Sequence, residues 1–468
     1  MSSVAPTLES LTSAYPPPLS EAMRGGIRRA CREAGLTICV IDDDPTGTQT
    51  VHGVPVYMTW DVNTLREAIG FPVFFLSVNT RSLPEAEARH AYYEIGRNLR
   101  HVIGGDLSRL RVASRSDSTL RGYFPLDVDA LGEGLELRPD GIILMPAFFE
   151  GGRYTIGAVQ WVERDGMLEA AHDTEFAKDP DFGYKSAYLP SWVEEKSGGR
   201  WRASEVVCIG LAEIRADSGA PLLHALEQVS GGRVVAVDAA CDADIEQFVL
   251  ALHEVEMAGK VFLYRVAASF AKVRAGIPDR PLLSGAELGK RHGAGLVVVG
   301  SYVGKTTRQV DALLKCPGVA PIELDVQHLM DSQDAAEAVV EAAQRVDAAL
   351  RRGETPVLYT SRTRLDPGQA GFLETGRKIM DALCQVVARL TRRPAFVVAK
   401  GGITSYEIAR QGLTVGRAHV LGPITPGVPV WELGPGSRLP GAPYVVFPGN
   451  VGTDESLAQV YRKLTQEE

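Results

Sequence analysis

Three consecutive carboxylates, Asp42-Asp43-Asp44, follow the apolar run Leu36 to Ile41 and precede Pro45-Thr46-Gly47. Adjacent carboxylates repel one another unless a metal ion, an Arg or a Lys sits among them. The apolar run, opened by Gly35, reads as a buried strand. In an open α/β sheet, ligands bind just beyond the carboxyl ends of the strands, so the triplet stands where chemistry would be placed. Pro45 pushes Asp44 out of the helical region and suits the first turn of a helix. Asp44 as a plain helix cap is the simpler alternative.

The cations that such a cluster needs recur at later strand ends. Pro72 to Ser77 reads as a strand that ends in Asn79-Thr80-Arg81-Ser82. Leu110 to Ser114 runs into Arg115-Ser116-Asp117-Ser118-Thr119-Leu120-Arg121-Gly122, and Gly141 to Met145 into Pro146-Ala147-Phe148-Phe149-Glu150-Gly151-Gly152-Arg153. An Arg fork holds a carboxylate by two parallel bonds, each charged hydrogen bond contributing about 1.5–3 kcal/mol. Arg81, Arg121 and Arg153 are therefore expected at one edge with the acids, a mix of charges suited to a small, hydroxylated anion.

The second half offers phosphate-binding chemistry. Ala395 to Ala399 reads as a strand that leads through Lys400 into Gly401-Gly402-Ile403-Thr404-Ser405. Gly lets the backbone approach an anion, hydroxyls can donate, and a helix start favours negative charge. The stretch Gly300-Ser301-Tyr302-Val303-Gly304-Lys305-Thr306-Thr307 imitates a P-loop but is one residue short between its glycines. Ser301 remains a candidate nucleotide contact. Two Gly/Pro-rich turns, Pro423 to Pro429 and Val446 to Gly452 with Gly449, are the remaining loops able to close on a nucleotide.

Strands alternating with helices position all of these groups, which predicts an α/β protein: two α/β domains, each with a mainly parallel sheet flanked by helices, and a substrate cleft between them. A chain of 468 residues exceeds one ordinary core. Arg274 to Pro281, with Gly and two Pro among charges, is the best linker. The expected division is a flexible leader 1–20, a substrate domain 21–273, a linker 274–281 and a nucleotide domain 282–468. A formal charge of -9 argues against non-specific nucleic-acid or anionic-membrane binding. Six scattered cysteines without a CxxC pair indicate neither disulfides nor a thiolate metal site, and a cytoplasmic location is expected. No apolar run approaches the ~18–20 residues of a membrane span. The nine histidines do not cluster at ligand spacing, and His52 is the only one close to the acids.

Taken together, these stretches resemble the four-carbon acid sugar kinase family, formerly a domain of unknown function. The resemblance lies in Asp43-Asp44-Pro45-Thr46-Gly47 for its DDxTG, Arg115 to Gly122 for its K-x-D-S-T-L-R-G box, and Pro146 to Arg153. It continues through Gly300-Ser301 with Thr306 to Gln309, Gly401 to Thr404, and Pro426 to Pro429. It implies ATP in the carboxyl-terminal domain, a tetronate-type acid (threonate, erythronate or an oxo form) in the amino-terminal one, Mg²⁺ bridging the phosphates, and a homodimer. One of Asp43 and Asp44 would orient or deprotonate the attacking hydroxyl. Arg81, Arg121 and Arg153 would hold the acid, with Asp117, Ser118 and Gly122 beside them. Ser301, Gly401 to Ser405 and Gly449 would take the nucleotide. Three departures stand out: Arg115 replaces Lys, Asp42 adds a third carboxylate, and the family's late K-S-G-x-F-G reads Phe447-Pro448-Gly449-Asn450-Val451-Gly452. Lys400 is expected to compensate for the missing Lys. Two rival readings are a haloacid-dehalogenase-type phosphatase with Asp42 as nucleophile, from Asp42-x-Asp44-x-Thr46, and a non-catalytic sugar-acid or nucleotide sensor.

Overall fold

Strand β1 (Thr37–Asp42) is buried at five of its six residues, which is why its sequence is almost continuously apolar up to the acids. It belongs to a computed structural model that describes residues 5–19, 23–288, 293–300, 304–330, 335–361, 372–449 and 451–465. The chain divides into two units. The first comprises Met1–Thr50 and Thr59–Asp279, the second Val51–Met58 and Arg280–Glu468.

In the first unit the main strands are β1, β3 (Val73–Ser77), β4 (Leu110–Arg115), β5 (Gly141–Met145), β9 (Val207–Ile209), β10 (Arg233–Val237) and β11 (Phe262–Val266). They line up as β3-β1-β4-β11-β5-β10-β9, all parallel. Register keeps their carboxyl ends level: Asp42 pairs with Ser77 and with Arg115, and Val266 pairs with Arg115 and with Met145. The loops after β1, β3, β4, β5 and β11 therefore leave from one edge.

The sequence reading passed over a small antiparallel sheet of β6 (Arg153–Ile156), β7 (Val159–Arg164) and β8 (Met167–Ala170). Residues 5–19 of the expected leader lie against the first unit. A short helix, Leu8–Thr12, is capped by the Thr7 side chain, and Leu8, Leu11 and Tyr15 pack against Tyr154, Ile156, Leu168, Leu211 and Ala240. The Leu168 amide donates to Pro6 O at 2.7 Å, and Arg215 Nη1 donates to Pro16 O at 3.0 Å. Leu8, Leu11 and Tyr15 are half-buried there, so each contributes less than a fully buried side chain, which contributes about 1.5–3 kcal/mol.

The second unit contains β2 (Val54–Tyr57), β12 (Leu296–Val299), β13 (Val319–Leu324), β14 (Thr355–Thr360), β15 (Val397–Lys400), β16 (Arg417–Thr425), β17 (Val428–Leu433) and β18 (Pro443–Phe447). Their order is β13-β14-β12-β15-β18-β17-β16-β2. The first five run parallel, and the last three continue antiparallel. Val297, Val299, Val398, Val445 and Phe447 pack with Val310, Leu313, Leu457 and Tyr461 from flanking helices. Strand β2 departs from expectation. Its sequence lies within the amino-terminal half, yet it pairs with β16, from Arg417 opposite Tyr57 to Val420 opposite Val54. No helix among the described residues is long and apolar enough to cross a membrane.

Candidate functional site

The acid triplet leaves β1 and meets the arginines of the neighbouring loops. Asp42 is 1% exposed, with Oδ1 3.1 Å from Arg115 Nη1. Gly47 folds back over it, so that a Cβ at position 47 would lie 1.8 Å from Asp42 Oδ2. Only glycine fits there, and the fit seals Asp42 away from any ligand. Asp42 is thus a buried structural carboxylate, not the exposed nucleophile that a phosphatase of the rival class requires. Burial pushes its carboxyl up to about 7 against the pull of Arg115.

Asp43 and Asp44 share Arg81. Its Nε lies 3.3 Å from Asp43 Oδ2, its Nη2 binds Asp44 Oδ2, and its Nη1 is 3.8 Å from Asp117 Oδ1. Asp43 is buried and pushed up to about 6 by that burial, although Arg81 and Arg115 favour its charge. Burial also works against ionised Asp44, but Arg81, Arg115 and the amide and hydroxyl of Thr46 outweigh it and hold that carboxyl below the usual range. Three carboxylates in a row therefore differ in what they can do. Asp42 and Asp43 both combine a raised pKa with an oxygen that has no hydrogen-bond partner, Oδ2 and Oδ1 respectively, but Gly47 covers that of Asp42, which leaves Asp43 as the candidate base.

The Asp117 to Gly122 box closes on the same group. Arg121 Nε donates to Asp117 Oδ2 at 2.8 Å, and Nη1 reaches Asp179 Oδ2 at 3.4 Å. Burial opposes the Asp117 charge, and Arg81 and Arg121 overcome it, holding its carboxyl well below the usual range. Gly122 takes φ +111°, open to glycine, and its missing side chain would sit 3.3 Å from Asp43 Oδ2 and 3.4 Å from Arg265 Nη2. Ser118 is buried, and its carbonyl accepts from Gln160. Arg121 and Arg153 both lie against the Phe176 ring, at 5.1 and 5.7 Å from its centroid.

The three arginines expected to hold a ligand are thus brought together, but not on equal terms. Arg81 and Arg121 are occupied by carboxylates. Arg153 has no carboxylate within ion-pair distance among the described residues, and its Nε lacks a hydrogen-bond partner. Buried polar atoms without a hydrogen-bond partner gather at this edge: Asp43 Oδ1, Ser77 Oγ, Asn79 Nδ2, the Nε atoms of Arg115 and Arg153, and Nη1 and Nη2 of Arg265, whose Nε faces Asp127 Oδ2 at 3.0 Å. Natural proteins leave few such groups unpaired, so their concentration at one sheet edge fits a polar ligand site. Asn79 adds a left-handed backbone, φ +52°, to its unpaired amide nitrogen. Sequence reading missed Asp179, Phe176, Gln160 and Arg265. Phe176 and Asp179 belong to the polar stretch 173–180, where a lone aromatic beside acids is the available signal.

In the second unit, Val299 pairs with Lys400 and Lys400 with Phe447, so Gly300, Gly401 and Pro448-Gly449 leave one edge together. Gly401 takes φ +116° and opens the helix Gly402–Glu407. Thr404 is buried, with Oγ1 against Gly300, where a Cβ would lie 2.5 Å away. Ile403 is 53% exposed beside it. Ser301 lies outside the described residues.

Two expectations change here. The Ser405 hydroxyl donates to Ala399 O and Gly401 O, both at 2.8 Å, and is fully buried, so it builds the turn rather than facing a phosphate. Lys400 is not a free phosphate cation either. Its Nζ donates to Pro448 O at 2.5 Å and Gly449 O at 2.9 Å, above the Phe447 ring. Burial, helped by Lys305, pulls it down to about 7. Lys400 therefore moulds the Gly449 loop, which Gln309 Nε2 pins further through Val451 O and Thr453 O.

Comparison with known proteins assigns both units. Residues 38–274 match the model of a sugar-binding N-terminal domain, and residues 296–457 that of a nucleotide-binding C-terminal domain. The chain belongs to the four-carbon acid sugar kinase family. Two crystal structures share this family member's fold. A putative tRNA synthase from Salmonella typhimurium LT2 has TM-score 0.68 at 18% identity, over 92% of this chain and 99% of its own. Haemophilus influenzae protein HI1011, assigned to DUF1537, has TM-score 0.62 at 16% identity, over 91% and 100%. No curated protein matches.

Proposed function

We propose that the protein is an ATP-dependent kinase that phosphorylates a hydroxyl of a four-carbon sugar acid of the threonate, erythronate or oxo-tetronate type. The observation that carries this reading is the pairing of an unneutralised guanidinium, Arg153, with a raised, half-satisfied carboxylate, Asp43, at one edge of a sugar-binding domain. Arg153 binds the acid's carboxylate. Asp43 takes the proton of the attacking hydroxyl, and a base with pKa near 6 is matched to work near neutrality. Arg81 and Asp117 fix the positions of Asp43 and Arg121, and Asp44, held ionised, anchors Arg81.

ATP sits along Gly401, Gly402 and Gly449, where side chains are absent or turned inward and the backbone can approach phosphate. Phosphoryl transfer needs alignment and charge neutralisation more than covalent chemistry. Among the described residues no group of three or more His, Cys, Asp or Glu side chains could hold a metal ion, and the acid triplet is already turned to Arg81 and Arg115. Mg²⁺ would come with the nucleotide's phosphates and spread their charge.

The test is an ATP-consumption screen over threonate, erythronate and their oxo forms with Mg²⁺ present, using wild type, Asp43→Asn and Arg153→Ala. Turnover on at least one acid, lost in Asp43→Asn and weakened through KM in Arg153→Ala, supports the reading. Phosphate release without ATP, or full turnover by Asp43→Asn, overturns it.

A further inference from the structure

The two loops that carry the acid-binding groups leave β4 and β5, which are not neighbours, because β11 lies between them. The ladder through β11 sets the spacing of the strand ends, but among the described residues no ladder bond joins the 115–122 loop directly to the 146–153 loop. One side chain from the small antiparallel sheet does. Gln160, on β7, is fully buried. Its Nε2 donates to Ser118 O at 2.7 Å and to Pro146 O at 2.9 Å, and its Oε1 accepts from the Thr155 hydroxyl at 2.7 Å. Two carbonyls facing one end of the amide and a hydroxyl facing the other fix its orientation, since only the nitrogen can serve two acceptors. Thr155 is itself anchored by paired backbone bonds with Ala239, which follows β10.

We propose that Gln160 is a positioning residue for the sugar acid: a clamp that holds the 115–122 and 146–153 loops at a fixed separation, so that Arg153 and the Asp117–Arg121 pair meet one ligand. The proposal rests on the sugar-acid kinase reading for its ligand, while its geometry does not. Strand β6 begins at Arg153 itself and pairs with β7, Thr155 lying opposite Gln160. The small sheet thus carries both the free guanidinium and the amide that ties it to the opposite loop. An acid bound by groups on both loops requires them to be pre-set, because small misplacements of binding groups cost orders of magnitude in rate or affinity.

The test uses the full chain as Gln160→Met, which keeps the length and loses both donors, and Gln160→Glu, which turns an acceptor toward two carbonyls. Hydrogen exchange without ligand is read first. Faster exchange in both 116–122 and 146–153, with the rest of the parallel sheet unchanged, is expected in Gln160→Met. Unchanged exchange in either loop overturns the clamp, and so does a uniform increase across the first unit, which marks a general loss of stability. Kinetics come second, on whichever acid the wild type phosphorylates. KM for the acid is expected to rise about tenfold or more, with KM for ATP within twofold and a smaller rise in a Gln160→His variant that keeps one donor. Equal rises for acid and ATP overturn the proposal. A wild type that phosphorylates no acid refutes the kinase reading and leaves the clamp to be decided by the exchange data.

Discussion

Removal of Arg81 should expose how heavily the acid cluster depends on one guanidinium. Its three nitrogens face Asp43, Asp44 and Asp117, and the side chains are 17% exposed for Arg81 against 4%, 25% and 14% for the carboxylates. In Arg81→Met the three acids keep only Arg115 and Arg121. Breaking a largely buried ion pair costs about 3–5 kcal/mol, because the remaining charges stay desolvated. For a unit of this size, roughly 2 °C of unfolding midpoint corresponds to each kcal/mol, so the first unit should melt about 6–10 °C lower at neutral pH.

The pH dependence is diagnostic. Asp44 and Asp117 are held below the usual value of 3.8, so their pairing stabilises the fold above that pH and the contribution is lost as pH falls through their lowered values. Asp43 is raised to about 6, so its ionisation costs stability above 3.8, fully so above 6, and losing Arg81 deepens that cost. Within pH 4–7 only the Asp43 contribution changes, so the Arg81→Met penalty is largest near pH 7 and smaller toward pH 4, while the Asp44 and Asp117 contributions persist until the pH falls below 3.8. Calorimetric midpoints of wild type and variant from pH 4 to pH 8 measure it. A penalty independent of pH, or largest at pH 4, would refute the account of the cluster.

Three further outcomes are expected. Gly47→Ala places a methyl within 1.8 Å of the Asp42 carboxylate, so the acid loop must shift and turnover should fall by more than about 100-fold; near-normal activity in a steady-state assay would show the seal to be irrelevant. With Asp43 as base, turnover should rise with pH through an acid limb near 6, and this limb should be absent from ATP binding measured by calorimetry. Lys400→Met removes the bonds to Pro448 O and Gly449 O and should raise KM for ATP about tenfold while KM for the acid stays put; an unchanged nucleotide KM would separate Lys400 from the nucleotide loop.

Much of the first unit was legible because its strands obey simple rules. Buried parallel strands need continuous apolar runs, and ligands gather beyond their carboxyl ends, so β1, β3, β4 and β5 together placed Asp43, Arg81, Asp117 and Arg153 at one edge. What stayed hidden depends on partners remote in the chain. Which of the three arginines is free is decided by Asp43, Asp44 and Asp179, remote in sequence, together with Asp117, four residues before Arg121. Gln160 occupies an alternating strand, where a polar residue reads as solvent-facing; its burial is visible only once the Ser118 and Pro146 carbonyls lie above it. Ser405 and Lys400 look like phosphate ligands because hydroxyl and ammonium groups are written the same way whether they serve a ligand or the backbone.

Strand β2 has a practical consequence for anyone dissecting the molecule. A gene fragment starting at Arg280 would encode the second unit without Val51–Met58, leaving β16 with bare amide and carbonyl groups along one side from Arg417 to Val420. Such an unpaired margin recruits strands from other molecules. Fusing residues 51–58 to the fragment through a designed loop, or supplying them as a peptide, should restore a soluble, single-species nucleotide-binding half.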